Sequence, residues 1–236
     1  MKQMIKDTLI IFVITLVAGV LLGFTNELTK EPIARYEAEK KIIACSEVFY
    51  EENKEGKLVP AGAFFFEAMD ADAIKGLNNA IKGKIEGNLL IDEVYYAYTE
   101  PSGLETATEA ELYDNTTSLE LSDDNFYGYV IGVTTKEGYN GEISFYVGIT
   151  LDGRIKGVSL LNIGETPGLG MNAGAQLLPQ FRDVEGTSFA VVKTGAQMQG
   201  EVDAISGATI TSDAITGGVN AAYECFLVLQ GGGDES

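Results

Sequence analysis

The chain has 236 residues, 45% of them hydrophobic, and a net charge of −19 from 35 acidic and 16 basic side chains. That is long enough for one membrane anchor and one globular domain of about 190 residues, and so acidic a surface excludes nucleic acid, whose phosphate backbone needs a positive footprint. With no histidine and two cysteines, Cys45 and Cys225, histidine-based catalysis, histidine-ligated metals, iron–sulfur clusters and four-cysteine zinc sites are all excluded within this chain. Redox chemistry here would need an organic cofactor. The cysteines read either as two separate buried thiols or as one disulfide.

Between Asp7 and Glu27 the run TLIIFVITLVAGVLLGFTN carries no charge. As a helix it spans roughly 28 Å, close to the thickness of a bilayer's hydrocarbon core. Its length, and the poor cleavage site at Phe24 to Glu27, favour a retained single-span anchor in the lipid bilayer over residues 1–26 rather than a signal peptide. Lys2 and Lys6 precede the run, while Lys30, Arg35, Lys40 and Lys41 follow it. The positive-inside rule therefore leaves the orientation open.

Pro32 to Phe49 reads as a stalk helix, and residues 27–125 as that stalk plus the first part of a soluble domain. Leu89–Thr99 has the β-branched and aromatic character of a strand, and 100–124 reads as an acidic surface excursion. Strands follow at Tyr127–Thr134, Glu142–Thr150 and Arg154–Leu161, the last two joined by an Asp152-Gly153 turn. A short helix is expected near 173–180 and a strand at 188–194. From SGATITS onward, Ile215, Val219, Ala222, Phe226 and Leu229 recur at helical spacing up to about Gln230. Thr211 or Ser212 is the natural N-cap there. Residues 126–230 form the expected core of an α+β domain, and 231–236 a flexible tail.

Two segments carry candidate chemistry. The first, Asp203-Ala204-Ile205-Ser206-Gly207-Ala208-Thr209 followed by Ile210-Thr211-Ser212, places four hydroxyls beside small residues at a helix start. By composition alone it is a helix cap. It is also a place where free N–H groups and the positive end of the helix dipole favour a phosphate. The second, Glu165-Thr166-Pro167-Gly168-Leu169-Gly170, is by composition a turn-rich loop. Gly168 and Gly170 are expected to let backbone lie close to a flat ring, and Pro167 to stiffen the loop.

Together these segments resemble the FMN-binding domain shared by the G subunit of Rnf complexes and the C subunit of sodium-pumping NADH:quinone reductases. DAISGAT fits that family's flavinylation pattern, with Asp203, Ser206, Gly207 and Ala208 as motif residues. The resemblance makes Thr209 the residue that forms a phosphoester with FMN, delivered from FAD by a Mg-dependent flavin transferase. Thr211 and Ser212 remain competing acceptors. ETPGLG resembles the loop lying against the isoalloxazine ring. It implies cofactor contacts from Glu165, Thr166, Gly168, Leu169 and Gly170, joined by Ser206, Gly207, Ala208 and Thr211. Gly138-Tyr139-Asn140-Gly141 and Asp152-Gly153 match the run-up to these motifs. The implied architecture is a single N-terminal transmembrane helix followed by an α+β FMN-binding domain.

The implied function is electron transfer within a membrane complex, with the other integral and peripheral Rnf subunits as partners. That complex couples ferredoxin:NAD oxidoreduction to proton or sodium translocation, with the domain on the extracytoplasmic side. The C subunit of a sodium-pumping quinone reductase, a stand-alone exported flavoprotein reductase and an anchored binding module are the alternatives.

Overall fold

The computed structural model describes residues 2–85, 87–99, 123–193 and 195–231, in two compact units, 1–41 and 42–236. Nearly all of the acidic excursion expected at 100–124, and all but Gly231 of the expected tail, lie outside the described residues.

The first unit is one helix, the bulk of α1 (Lys2–Glu47), so anchor and stalk are continuous through Pro32. Its best 18-residue window has a mean hydropathy of 2.5, and none of that window is buried against protein. The helix is thus long and apolar enough to cross a membrane. The threonines of its apolar run fit an apolar solvent: the Thr15 hydroxyl donates to Ile11 O at 3.1 Å and that of Thr25 to Leu21 O at 2.8 Å. Each hydroxyl is thereby satisfied within the helix.

In the second unit, β1 (Tyr50–Glu52) and β2 (Leu58–Pro60) form a small antiparallel pair. Next come β3 (Phe64–Ala68), α2 (Ala71–Ile81), β4 (Leu89–Thr99), β5 (Phe126–Gly138), β6 (Gly141–Thr150) and β7 (Arg154–Ile163). The short helix α3 (Ala173–Gln176) leads through a 3-10 turn to β8 (Val184–Glu185), which closes a six-stranded antiparallel sheet in the order β3-β4-β5-β6-β7-β8. The parallel pair β9 (Ala190–Val192) and β10 (Glu201–Asp203) then leads into the long helix α4 (Thr209–Gly231). This is the expected α+β architecture. The helix α2, with the Asp70 carboxylate accepting from Asp72 N–H as its N-cap, lies in a segment that sequence patterning left unassigned.

The sheet is buried on both faces. On one, α4 supplies Ile215, Val219, Ala222 and Phe226 against Ile131, Val133, Phe145 and Val147 of β5 and β6. Gly218 allows the close approach, since a Cβ there would fall 2.5 Å from Phe145 Cζ. On the other face, Ala44, Cys45, Val48 and Phe49 cover Ala97, Val130 and Tyr146. Alternation of Tyr129, Val130 and Ile131 between the two clusters follows from the two-residue period of a strand. Cys45 and Cys225 therefore belong to opposite faces, and no disulfide joins them. Burial pushes the Cys225 thiol up to about 12, which keeps it protonated and inert.

Val48 is received by a gap that only glycine provides. Gly148 and Gly157 are directly paired across β6 and β7. A Cβ on Gly148 would lie 2.5 Å from Val48 Cγ2, and one on Gly157 would lie 2.8 Å from Val48 O. Beside them, the Tyr146 hydroxyl donates to Glu93 Oε2 at 2.6 Å and that of Tyr95 to the same oxygen at 3.0 Å. Burial, reinforced by these bonds to Glu93, raises both phenol pKa values well above normal, so both stay donors.

The two glycines make separable predictions. Gly148→Ala and Gly157→Ala each destabilise the domain by about 1–3 kcal/mol through overpacking. Val48→Ala deletes Cγ2, the worst obstruction at position 148, where Val48 Cβ at 2.9 Å and Phe49 Cε1 at 3.1 Å remain, but leaves the carbonyl that obstructs position 157. In double-mutant cycles read by urea denaturation, Val48→Ala thus couples favourably to Gly148→Ala and adds independently to Gly157→Ala.

Candidate functional site

Both motif segments fold as the same device. In Thr166-Pro167-Gly168-Leu169, Leu169 N–H donates to Thr166 O at 3.1 Å, and Gly168 has φ +78°. In Ile205-Ser206-Gly207-Ala208, Ala208 N–H donates to Ile205 O at 2.9 Å, and Gly207 has φ +76°. A positive φ at the third residue, closed by a bond from the fourth to the first, is the pattern of a type II turn. Glycine is required there, and Pro167 suits the second position. The two turns meet: a Cβ on Gly207 would sit 3.1 Å from Leu169 Cδ2.

Between them lies a cleft of about 470 Å³ lined by Tyr139, Glu165, Thr166, Leu169, Gly170, Gly207, Ala208, Thr209, Ile210 and Thr211. Seven of the nine expected contact residues, and the expected acceptor Thr209, are thus brought together. Gly168 and Ser206 are not among the lining residues. At Gly168 a Cβ would meet no protein atom within 4 Å, and the positive φ of the turn is by itself a reason for glycine there. At Gly170 protein segments approach closely: a Cβ would fall 2.7 Å from Thr211 Oγ1 and 2.8 Å from Glu165 Cβ.

Asp203 also stands back from the cleft and works as a brace. Its carboxylate accepts from Ala196 N–H at 2.9 Å. Its backbone N–H donates to Gln180 Oε1 at 2.7 Å, and its carbonyl accepts from Gln180 Nε2 at 3.1 Å. Asp203 thereby fixes the strand that feeds the second turn.

The helix start differs from the expected cap. Helix α4 begins at Thr209, so Thr211 and Ser212 lie inside its first turn and not at the N-cap. Ser212 is buried and reaches back: its hydroxyl accepts from Ile205 N–H at 2.9 Å and donates to Ala208 O at 3.0 Å. The ladder opens with Ser212 N–H to Ala208 O at 3.0 Å. The N–H groups of Thr209, Ile210 and Thr211 precede it, as the first donors of any helix do.

Glu165 holds the floor of the cleft, with 4% of its surface exposed. Its Oε2 accepts from the Thr211 hydroxyl at 3.1 Å, and its Oε1 from Asn140 N–H at 3.2 Å. Asn140 Nδ2 also donates to Gly164 O at 2.6 Å, so the β5–β6 hairpin tip is fastened to the first turn from two sides. Of the four candidate hydroxyls, Thr211 and Ser212 are buried and engaged, and Ser206 is exposed but outside the lining. Thr209 alone among them is both exposed and part of the cleft wall.

Sequence reasoning noted Tyr139 and Asn140 only as part of the run-up to the motifs and gave no site role to them or to Ile210. Tyr139 had a signal, a large aromatic at a hairpin tip where turn chemistry asks for Gly, Asn or Asp. Ile210 had one too, an apolar residue between hydroxyls.

The cleft suits a ligand with a flat apolar body and an anionic end. Tyr139, Leu169 and Ile210 are large exposed apolar side chains on its wall. The start of a 23-residue helix supplies unbonded N–H groups and the positive end of its dipole beside Thr209.

Removing the Glu165 carboxylate tests the floor. Glu165→Ala leaves Thr211 Oγ1 and Asn140 N–H without an acceptor, at a cost of about 1–3 kcal/mol. Glu165→Gln, which keeps one acceptor, is less destabilised in the same denaturant titration.

Residues 138–224 match the FMN-binding domain family, spanning the hairpin tip, both turns and most of α4. The G subunit of the Na(+)-translocating ferredoxin:NAD(+) oxidoreductase complex of Acetobacterium woodii is 30% identical over 231 residues, 97% of this chain and 94% of its own length. The G subunit of the proton-translocating ferredoxin:NAD(+) oxidoreductase complex of Clostridium ljungdahlii is 39% identical over 105 residues, 44% of this chain and 56% of its own. The G subunit of the ion-translocating oxidoreductase complex of Erwinia tasmaniensis is 29% identical over 162 residues, 65% of this chain and 70% of its own. An FMN-binding domain behind a membrane-length helix, with similarity over nearly the whole of one such relative, places this chain in the G-subunit family of Rnf-type ion-translocating ferredoxin:NAD(+) oxidoreductase complexes.

Proposed function

We propose that the chain is an electron-transfer subunit that carries FMN as a phosphoester on Thr209. The observation that carries this reading is the position of Thr209: an exposed hydroxyl at the start of a helix, in a cleft that both motif turns build. In maturation, the Thr209 oxygen takes the FMN phosphoryl group from FAD. The new O–P bond replaces the pyrophosphate bond, AMP leaves, and the hydroxyl proton is released. A flavin transferase supplies the Mg2+ and the base for this step.

Once bound, FMN supplies reversible electron transfer, and the chain's residues hold and tune it. The N–H groups of the first helical turn and the helix dipole favour the phosphate charge. Leu169 and Ile210 provide apolar walls. Thr166 and Gly170 bring backbone to the cleft, and the Glu165 carboxylate places negative charge under it. That charge opposes accumulation of further negative charge on reduction and so lowers the flavin's potential.

In this reading α1 anchors the protein in the cell membrane with a short cytoplasmic N-terminus. The domain works on the extracytoplasmic side, exchanging electrons with other subunits of an Rnf-type complex that couples ferredoxin:NAD oxidoreduction to proton or sodium movement. The tether has a physical rationale there, because flavin lost outside the cytoplasm is not replenished from the cytoplasmic pool.

Two measurements test the proposal. Thr209→Val removes the hydroxyl but keeps size and branching. When the chain is co-expressed with a flavin transferase, in-gel flavin fluorescence after denaturing electrophoresis is lost in this variant, while the domain's denaturation midpoint is retained. A fluorescent band that persists, with the modified peptide mapping to Thr211 or Ser212, refutes the assignment. For topology, protease added to intact spheroplasts digests the domain. Digestion only after lysis places the domain in the cytoplasm.

A further inference from the structure

Gln180 commits every hydrogen-bonding group of its side chain to backbone. Its Oε1 accepts from Asp203 N–H at 2.7 Å, while its Nε2 donates to Asp203 O at 3.1 Å and to Gln176 O at 3.0 Å. These bonds fix the orientation of the amide, because a flipped amide would set its oxygen against two carbonyls and its NH2 against an N–H. The pair of bonds to Asp203 copies what a neighbouring strand supplies to one residue. The opposite edge of β10 is taken by β9, where Ala204 N–H donates to Val192 O at 2.8 Å. Gln180 thus stands in for a third strand at the last residue of β10.

The side chain is carried on a stiff support. It lies in the 3-10 turn Leu178–Phe181, which follows the first motif turn through Gly170–Asn172 and α3. Ala173, Leu177, Leu178 and Phe181 of that stretch are buried in the main core. Gln180 is therefore the far end of a packed strut that begins at the first motif turn and grips the strand leading into the second. Beyond Asp203 the backbone has little slack. Ile205 N–H donates to Ser212 Oγ at 2.9 Å, and Ala208 N–H closes the turn on Ile205 O. Glu165 holds the chain just after Thr209, through Thr211, and Gln180 holds the strand before it.

We propose that Gln180 is a positioning residue for flavin attachment: by locking β10 at Asp203 it holds the Thr209 hydroxyl where the FMN phosphoryl group is delivered. This rests on the reading that Thr209 carries FMN. Gln180 does not line the cleft and acts through Asp203, without touching the cofactor.

The test uses the full-length chain purified without flavin in detergent, with purified flavin transferase, FAD and Mg2+. Initial rates of flavin incorporation are read by in-gel fluorescence for the parent, Gln180→Met and Gln180→Glu, and denaturation midpoints are measured alongside. Gln180→Met keeps the length of the side chain and loses its bonds. It stays folded, because Gln180 and Asp203 are only half-buried and water reaches the freed groups. Its kcat for incorporation falls by about tenfold or more, with the KM for FAD unchanged, as expected when an acceptor is misplaced. Gln180→Glu adds a pH signature. Its charged carboxylate faces two carbonyl oxygens, which raises its pKa in the folded chain. The protonated form, present below that raised value, again accepts from Asp203 N–H and donates to a carbonyl. Incorporation into Gln180→Glu is therefore slow at alkaline pH and approaches the parent rate as the pH falls toward the ordinary glutamate value of about 4.3. Gln180→Met shows no such recovery. Incorporation into Gln180→Met at the parent rate overturns this inference alone. So does a slowing that matches the variant's unfolded fraction, or a Gln180→Glu deficit that does not change with pH. A parent that takes up no covalent flavin, or takes it up elsewhere than Thr209, overturns the Thr209 assignment and this inference with it.

Discussion

The cleft depends on the Glu165 carboxylate. Buried and enclosed by Gly138 and Gly170, it accepts one bond from the hairpin tip and one from the first turn of α4. Three segments of the chain, at 138–141, 164–170 and 205–212, meet at this one side chain, and the Asn140 Nδ2 to Gly164 O bond adds a second tie between the first two. Burying a carboxylate is costly unless its oxygens are satisfied. Here each oxygen has a donor, and the donors come from the parts that must be aligned. A single ionised group thus supplies the alignment that a small site needs and places a negative charge under the space where the flavin is proposed to lie.

Around that fixed point the two motif turns act as matched corners. Each uses a left-handed glycine, Gly168 or Gly207, so that the residue following it, Leu169 or Ala208, is turned into the cleft wall. Asp203 and Ser212 act behind the second corner, one on the incoming strand and one from the helix. The motif residues thus divide into those that face the cleft and those that hold its walls. The sheet beneath is stiffened by cores on both faces, the second made by the end of α1 lying over the glycine pair 148 and 157. A site built on such a scaffold keeps its geometry because its supports are packed and not merely adjacent.

Much of this was legible in the sequence. The β6–β7 turn was marked by Asp152-Gly153, and the α4 stripe by its helical period, because those features are local. The resemblance of DAISGAT and ETPGLG to a flavin-binding family pointed to two segments that the fold brings together on one cleft. The positive φ of Gly168, which the turn requires, is set by the closing bond from Leu169 N–H to Thr166 O. What was not legible depends on partners distant in sequence. Thr211 and Ser212 looked like caps, and they are buried hydroxyls used inside the first turn. Helix α2 escaped notice because one apolar face of 11 residues in a Gly/Lys/Asp-rich stretch is a weak signal. A bulge between Ile91 and Glu93 turns Ile91 and Val94 to the same face, which a strict alternation would forbid.

The helical backbone at Thr209 bears on how the proposed acceptor would be recognised. An enzyme that reads a substrate segment as an added strand needs that segment extended. Here extension would break the Ser212 N–H to Ala208 O bond and both bonds of the buried Ser212 side chain, and it would pull Thr211 from Glu165. The folded domain instead presents Thr209, the proposed acceptor, on the wall of the cleft, with Gly207 and Ala208 beside it. If Thr209 carries the flavin as proposed, recognition of this folded wall makes folding a prerequisite for modification, and a chain whose three cleft segments have not assembled is not a competent substrate.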